Sequence, residues 1–220
     1  MPLPPEAITI SGGCNCAAIR YRVAIPAIAE RPIHPTFDPS NGKEPVRLPF
    51  VCVDHCNDCR KATGALLGVV LCSPTSYVEM SLLPTANSSE EQAEAASKQE
   101  PKKDEERNWC PVEDIFPPGT RSRKESTLSF YTSSEGRTRA FCSNCGTQFA
   151  YSAYPYPDPW PRMLDIWIGS VDQEDLEKEW LVPERHLWWD VGIDWIRRFG
   201  AEGSGGVPKH GTYRVDEEVE

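Results

Sequence analysis

The sequence predicts a mainly β fold with long loops, and three observations lead to this prediction. The chain of 220 residues contains 21 prolines, roughly twice the number that an average usage of about 5% would give. Proline interrupts helices, so this density favours short strands and loops over a helical bundle. Several segments alternate apolar and polar residues, as half-buried strands do. An apolar run at residues 65–72 predicts a buried strand.

The predicted elements follow one another along the chain. Ile19, Tyr21 and Val23 alternate with polar neighbours in a first strand within residues 11–23. A turn at 133–136 joins two alternating segments into a hairpin, and residues 147–151 form the strand after it. Another alternating strand is predicted at 163–172, and a short helix is predicted at 172–179. Residues 188–199 are aromatic and apolar enough to pack down as a closing element.

Composition divides the chain into one domain with loose attachments. Residues 1–10 are predicted to be an N-terminal extension, 11–200 a single β domain, and 201–220 a flexible tail. A proline-rich loop at 24–50 interrupts the domain. So does a disordered insertion at 84–108, whose charged stretch 88–107 has no apolar residue larger than alanine. Such a stretch buries too little surface to offset the entropy of ordering it.

The charge balance restricts the possible partners. The chain has 23 basic and 33 acidic residues, a formal net charge of −10. Nucleic-acid grooves and anionic membrane surfaces attract basic proteins, so we expect neither as a main partner. No apolar run reaches the roughly 18 residues that a membrane span needs, and no signal peptide is recognisable. The composition says nothing about the oligomeric state.

Nine cysteines are the main chemical signal in the sequence. Without an export signal, clustered cysteines more often bind metal or perform redox chemistry than form disulfides, so we expect a cytoplasmic protein. The pairs Cys56/Cys59 and Cys142/Cys145 have the C-x-x-C spacing, and two glycines precede a C-x-C pair at 14–16. These spacings favour zinc ligation. Alternatives are core cysteines or a redox pair. A thioredoxin-like C-x-x-C would lie at a strand-to-helix junction, whereas a strand is predicted after Cys145.

Five motifs occur in a characteristic order: GGCNCAAIRY at 12–21, DHCNDCRKATGA at 54–65, FCSNCGTQF at 141–149, IGSVD at 168–172 and PERHLWW at 183–189. The series resembles the family of glutathione-dependent formaldehyde-activating enzymes, which includes the centromere protein V domain. The length and insertions are similar to those of fungal members. The resemblance covers most of residues 11–199.

The resemblance implies a fold, two zinc ions and an activity. The fold would consist of two small zinc-pinned sheets with a tent-like shape and a short helical C-terminal element. One structural zinc would be shared by the first and last cysteine pairs, which are Cys14, Cys16, Cys142 and Cys145. A second zinc would have an open position for a thiol adduct. The activity would be that of a carbon–sulfur lyase acting on a glutathione-type adduct.

The second cluster departs from the family pattern. Asp54 stands where the family has a cysteine, whereas Cys56 and Cys59 match. A carboxylate binds zinc at about 2.0–2.2 Å and would leave a harder metal than a thiolate does. Asp54 could therefore complete the site. Alternatively, Cys52 moves in from upstream, or the site has lost its metal.

Four further residues are candidates near this cluster. His55 could bind the metal or transfer a proton, or it could face away and bond to the backbone. His186 matches the family's P-x-x-H pattern and is expected to be a packed histidine rather than a ligand. Arg60 and Lys61 could hold a substrate carboxylate, or form an ordinary solvated pair. No catalytic residue is assigned.

Two function classes remain open. The resemblance favours an enzyme that binds a small molecule at an open zinc and makes or breaks a carbon–sulfur bond. The alternative is a non-catalytic zinc-stabilised scaffold or partner-binding module. The zinc content distinguishes them, because about one ion per chain is expected for a scaffold and about two for an enzyme.

Overall fold

The computed structural model describes residues 3–83, 106–116, 126–203, 208–216 and 218–219. The disordered insertion predicted at 84–108 lies almost entirely outside these residues. The described strands form two sheets, and the prediction of a mainly β fold is confirmed.

The smaller sheet has four antiparallel strands. Their order in the sheet is β1 (Ile8–Gly13), β2 (Ile19–Ile25), β5 (Val78–Leu82) and β6 (Cys110–Pro111). The alternation at Ile19, Tyr21 and Val23 places all three side chains in the core, as expected for a strand with one buried face.

The larger sheet has nine strands and carries both C-x-x-C motifs. Its order is β13 (Glu218–Val219), β12 (Lys209–His210), β11 (Arg185–Leu187), β3 (Phe50–Asp54), β4 (Gly68–Pro74), β10 (Met163–Trp167), β9 (Gln148–Ala153), β8 (Arg137–Cys142) and β7 (Leu128–Ser134). β11 runs parallel to its neighbours β3 and β12, and the other pairs are antiparallel.

Helices are short in the described residues. They are α1 (Asn57–Thr63), α2 (Val112–Ile115), α3 (Gln173–Leu176) and α4 (Asp194–Gly203), with single 3₁₀ turns between some of the strands. None of these helices combines the length and the apolar character needed to cross a bilayer.

The nine-stranded sheet separates two cores, because successive side chains of a strand point to opposite faces. Val51, Leu71 and Ile166 belong to the core shared with the four-stranded sheet. Their strand neighbours Cys52 and Val70 belong to a second core on the other face. The second core also contains Cys59 of α1, so this face of the sheet carries the second cysteine cluster.

Several predicted elements are confirmed with small shifts. The hairpin at 133–136 is the β7–β8 turn, the strand at 147–151 is β9, and the apolar run 65–72 enters β4 at Gly68. The helix predicted at 172–179 is the single turn α3. β1 begins at Ile8, inside the segment predicted to be an N-terminal extension.

Two C-terminal features differ from the expectation. Residues 208–216, within the predicted flexible tail, add β12 to the sheet, where the His186 amide donates to the Pro208 carbonyl at 2.8 Å. In the predicted closing element, Ile196 is buried but Trp195 and Phe199 are 52% and 66% exposed. Since residues four apart share one face of a helix, only the face of α4 that carries Ile196 and Gly200 packs inward.

Candidate metal centres

The first candidate centre joins the two sheets. Cys14 and Cys16 follow β1 in the smaller sheet, Cys142 ends β8 in the larger sheet, and Cys145 lies in the turn before β9. The four sulfur atoms lie within 4.8 Å of one another. The structure therefore brings together the four cysteines that the resemblance assigns to a structural metal.

Local backbone geometry explains how each pair converges. Gly146 follows Cys145 with a φ of +75°, a left-handed conformation that favours glycine, and its amide donates to the Cys142 carbonyl at 2.8 Å. Gly13 precedes Cys14, and a Cβ atom there would collide with the Ile19 carbonyl oxygen. Both glycines therefore permit turns that a larger residue would strain.

The sulfur spacing fits a tetrahedral ion. Sulfurs at about 2.3 Å from one zinc lie about 3.8 Å apart, and the Cys14–Cys16 and Cys16–Cys142 distances are 3.5 and 3.7 Å. Burial raises the pKa of Cys14 and Cys142. Burial acts in the same direction on Cys145, but hydrogen bonds from Thr147 and Cys16 outweigh it and lower the pKa of Cys145 to about 6. This group could hold a metal ion in a closed, four-ligand site.

The second candidate centre is built from one short stretch of chain. Asp54 ends β3, Cys56 precedes the first residue of α1, and Cys59 lies in its first turn. Their ligand atoms also lie within 4.8 Å of one another. The Cys56 amide donates to Asp54 Oδ1 at 2.8 Å, which fixes the carboxylate beside the helix start. Three ligands leave one position of a tetrahedral ion open, as in catalytic zinc sites.

The pKa values of the two thiols of this centre shift in opposite directions. A hydrogen bond from Cys59 lowers the pKa of Cys56 to about 6, against the effect of burial. The same hydrogen bond, together with burial and the nearby Asp54, raises the pKa of Cys59. Burial also raises the pKa of Asp54. Cys56 is thus the more readily ionised of the two thiols before any metal binds.

Arg139 is the cation of the second centre. It lies on β8 with 3% of its surface exposed, and its two terminal nitrogens approach Cys59 Sγ at 3.6 and 3.7 Å. Its guanidinium also lies 5.1 Å from the ring centroid of Tyr151. A buried guanidinium beside Cys59 favours the thiolate form that a metal requires.

A cleft of about 970 Å³ connects the surroundings of the two centres. Its lining includes Ala62 and Thr63 of α1, Gly146 and Thr147 of the turn after Cys145, and Arg139 of β8. Thr147 Oγ1 lies 3.3 Å from Cys145 Sγ, so the cleft reaches the edge of the first centre as well. Asp54, Cys56 and Cys59 are not among the lining residues. Arg139, which donates to Cys59, joins the second centre to the cleft, and the cleft has room for a small molecule.

The two histidines bond to each other. His55 Nε2 lies 2.8 Å from His186 Nδ1, both rings are buried, and Trp189 packs edge-on against each of them. Burial lowers the pKa of both rings to about 4. Neither histidine joins either ligand group, and His186 is a packed histidine, as predicted.

The other sequence candidates lie outside the ligand groups. Cys52 Sγ lies 3.8 Å from Cys72 Sγ in the second core, so Asp54 and not Cys52 joins Cys56 and Cys59. Lys61 is exposed on α1. Arg60 is half-buried and does not line the cleft, and its Nε has no hydrogen-bond partner among the described residues.

Sequence reasoning missed Arg139 and Asp165. Asp165 lies on β10 opposite Cys72 and Tyr151, and burial raises its pKa to about 7, with a further contribution from Asp54. Both residues are charged and lie in strands with alternating apolar and polar residues, next to a cysteine motif or a cysteine. This alternation could have drawn attention to them, but it does not show which charged side chains lie near the metal ligands.

A scan against protein-family models finds no match for the chain, and a search of curated proteins finds no similar sequence. We therefore base the function on the geometry of the two centres and on the order of the motifs.

Proposed function

We propose that this protein is a zinc-dependent enzyme that cleaves the carbon–sulfur bond of a thiol adduct. Cys14, Cys16, Cys142 and Cys145 would hold a structural zinc that pins the two sheets in the tent-like arrangement of the resembling family. Asp54, Cys56 and Cys59 would hold a second, reactive zinc. A reducing compartment such as the cytoplasm would keep the six thiols available.

One observation supports this function above the others. The three-ligand group and the cleft share Arg139, which lines the cleft and donates to Cys59. A site with an open coordination position next to a cavity has the features of a catalytic centre, whereas a closed site serves the fold.

The reaction needs no group outside the protein, its metal and water. In an adduct of a thiol with an aldehyde, the carbon–sulfur bond breaks and its electron pair goes to sulfur. The adduct's hydroxyl becomes the carbonyl of the released aldehyde, and its proton passes to water in the cleft. When bound, zinc supplies Lewis acidity that stabilises the leaving thiolate. Asp54 adds negative charge to the site, and Arg139 adds positive charge beside Cys59.

Metal analysis tests the proposal directly. Wild-type protein is expected to contain two zinc ions per chain, and Cys56→Ser one, with its fold intact. Cleavage of the formaldehyde adduct of a thiol, measured as released formaldehyde, is expected in the wild type and lost in Cys56→Ser. Cys110→Ser is the matched control, because Cys110 belongs to neither group.

One feature supports the alternative, that the protein is a non-catalytic scaffold or partner-binding module. The aromatic side chains of Trp195 and Phe199 on α4 are exposed. Exposed aromatic side chains of this size are common in partner-binding surfaces. One zinc per chain, unchanged by Cys56→Ser, would favour the scaffold over the enzyme.

A further inference from the structure

The walls of the cleft are mainly apolar. Ala65, Leu67 and Val69 come from the α1–β4 segment, and Phe141 and Trp167 come from β8 and β10. Pockets of this kind bind apolar groups and use a few polar side chains to orient the ligand. The charged and hydrogen-bonding groups therefore decide what the cleft accepts.

Arg139 is the charged residue of the lining, and no carboxylate lines the cleft among the residues that the structure describes. The guanidinium is almost fully buried, so its attraction for an anion is weakly screened. Elsewhere the protein is strongly acidic, with a net charge of −10. Arg139 is therefore the residue of the cleft that attracts an anionic group of a ligand.

Trp167 gives a second, independent indication. It lines the cleft with 6% of its surface exposed, and its buried indole N–H has no acceptor among the described residues. A buried donor without an acceptor is costly. A ligand that brought an acceptor to this indole would satisfy the donor, in addition to any bond that it made with the guanidinium of Arg139.

The short distance between Arg139 and the metal ligands restricts the ligand further. Arg139 nitrogens lie 3.6 and 3.7 Å from Cys59 Sγ. A ligand sulfur that binds beside Cys59 is therefore within a few bonds of the guanidinium. A carboxylate separated from the sulfur by one or two carbon atoms is compact enough to bind Arg139 while the sulfur binds beside Cys59.

We propose that the cleft selects a 2- or 3-mercaptocarboxylate with an apolar substituent as the thiol part of the adduct. Its carboxylate binds Arg139, and its apolar substituent packs against Leu67, Val69 and Phe141. This inference rests on the proposed function, because it assigns the substrate class of the same site. It also differs from the glutathione that the family resemblance implies.

Glutathione fits this lining poorly. Its two carboxylates and its ammonium group lie at the ends of a tripeptide, several bonds from the sulfur. The ammonium group would meet no carboxylate among the described lining residues, and desolvating it without a partner is unfavourable. A compact apolar mercaptocarboxylate pairs its carboxylate with Arg139 and buries its apolar substituent against the walls of the cleft.

Four probes test the inference on the zinc-loaded wild-type protein by titration calorimetry. They are 2-mercapto-3-phenylpropanoate, 2-phenylethanethiol without the carboxylate, 3-phenylpropanoate without the thiol, and glutathione. The first is expected to bind about tenfold or more tightly than each of the others, the effect of losing one charge-assisted hydrogen bond. Equal or tighter binding of glutathione, or equal binding of 2-phenylethanethiol, would overturn the inference.

Variants then assign the selectivity to Arg139. Arg139→Gln is expected to bind 2-mercapto-3-phenylpropanoate and 2-phenylethanethiol equally, and Arg139→Lys to retain part of the difference. The matched control is Arg137→Gln, which lies two residues away on the same face of β8 and does not line the cleft. A full tenfold preference remaining in Arg139→Gln would contradict the assignment.

The outcomes separate this inference from the proposed function. If thiols with and without a carboxylate bind equally well, the proposed enzyme function stands and only the proposed substrate class is wrong. One zinc per chain and no thiol binding overturn both. Metal content is measured on every variant, so that a loss of zinc in Arg139→Gln is recognised. If that variant loses zinc, the inference is judged from the binding of the four probes to the wild-type protein.

Discussion

The two cysteine groups use similar ligands but arise from very different parts of the chain. Cys16 and Cys142 are 126 residues apart and belong to different sheets, yet their sulfurs lie 3.7 Å from each other. Asp54, Cys56 and Cys59 come from a single strand-to-helix junction. Four distant ligands can close a metal site and fasten two sheets, whereas three local ligands cannot fasten distant elements and leave a position open.

The comparison shows how chain separation determines what a metal site does for a protein. A bound ion that joins distant segments contributes its binding free energy to folding, because the ligands are not assembled in the unfolded chain. An ion on a local turn contributes less to the fold, since the strand and helix persist through other contacts. Its open coordination position is available to a ligand instead.

The largest expected effect is the loss of the fold in Cys142→Ser. Structural zinc contributes about 10–16 kcal/mol in small zinc domains, as much as or more than the total stability of about 5–15 kcal/mol of ordinary domains. The variant is expected to be insoluble or to lack a cooperative thermal transition by circular dichroism. Cys110→Ser is the control and should melt like the wild type. A folded, metal-poor Cys142→Ser protein would contradict the structural role of the first group.

The next effect is the order in which a chelator removes the metals. The open three-ligand group is expected to release its ion first, with the circular dichroism spectrum unchanged. The four-cysteine group is expected to release its ion more slowly and together with unfolding. A colorimetric zinc assay run beside circular dichroism measures both phases. A single phase in which release and unfolding coincide would remove the distinction between the two groups.

A smaller effect is expected on the stability of Cys56→Ser. Losing one ligand of a local site should change the melting temperature by only about 2–4 °C, the shift that 1 kcal/mol produces in a domain of 150–250 residues. Differential scanning calorimetry compares this variant with Cys110→Ser. A decrease as large as that of Cys142→Ser would show that the second group also supports the fold.

The smallest effect is a pH profile of thiol reactivity. The pKa of Cys56 is lowered to about 6 by the hydrogen bond from Cys59. In protein freed of its second metal only, Cys56 is therefore mostly protonated below pH 6 and a thiolate above it. Alkylation by iodoacetamide, followed by mass spectrometry, should accelerate between pH 5 and 7 and then level off. Cys56→Ser should lack this phase. A midpoint near the ordinary thiol value of 9.0 would contradict the lowered pKa of Cys56.

Much of the second group was predictable because it is local. Cys56 and Cys59 are three residues apart, so their thiols lie close together, although the helix that begins at Asn57 was not predicted. The position of Asp54 beside them also follows from the sequence. The choice between Asp54 and Cys52 did not, because both lie on the same face of β3 and only the packing of Cys52 against Cys72 separates them.

The sequence by itself determined the strand alternation, the β7–β8 hairpin and the turns that hold the pairs Cys14/Cys16 and Cys142/Cys145, since these depend on neighbouring residues. The tertiary structure decided that β8 passes the helix carrying Cys59, which brings Arg139 to the sulfur and to the cleft. It also decided that Trp195 and Phe199 face outward and that residues 208–216 extend the sheet. These features depend on which distant segments share backbone hydrogen bonds and buried surface. Local periodicity carries no information about those pairings.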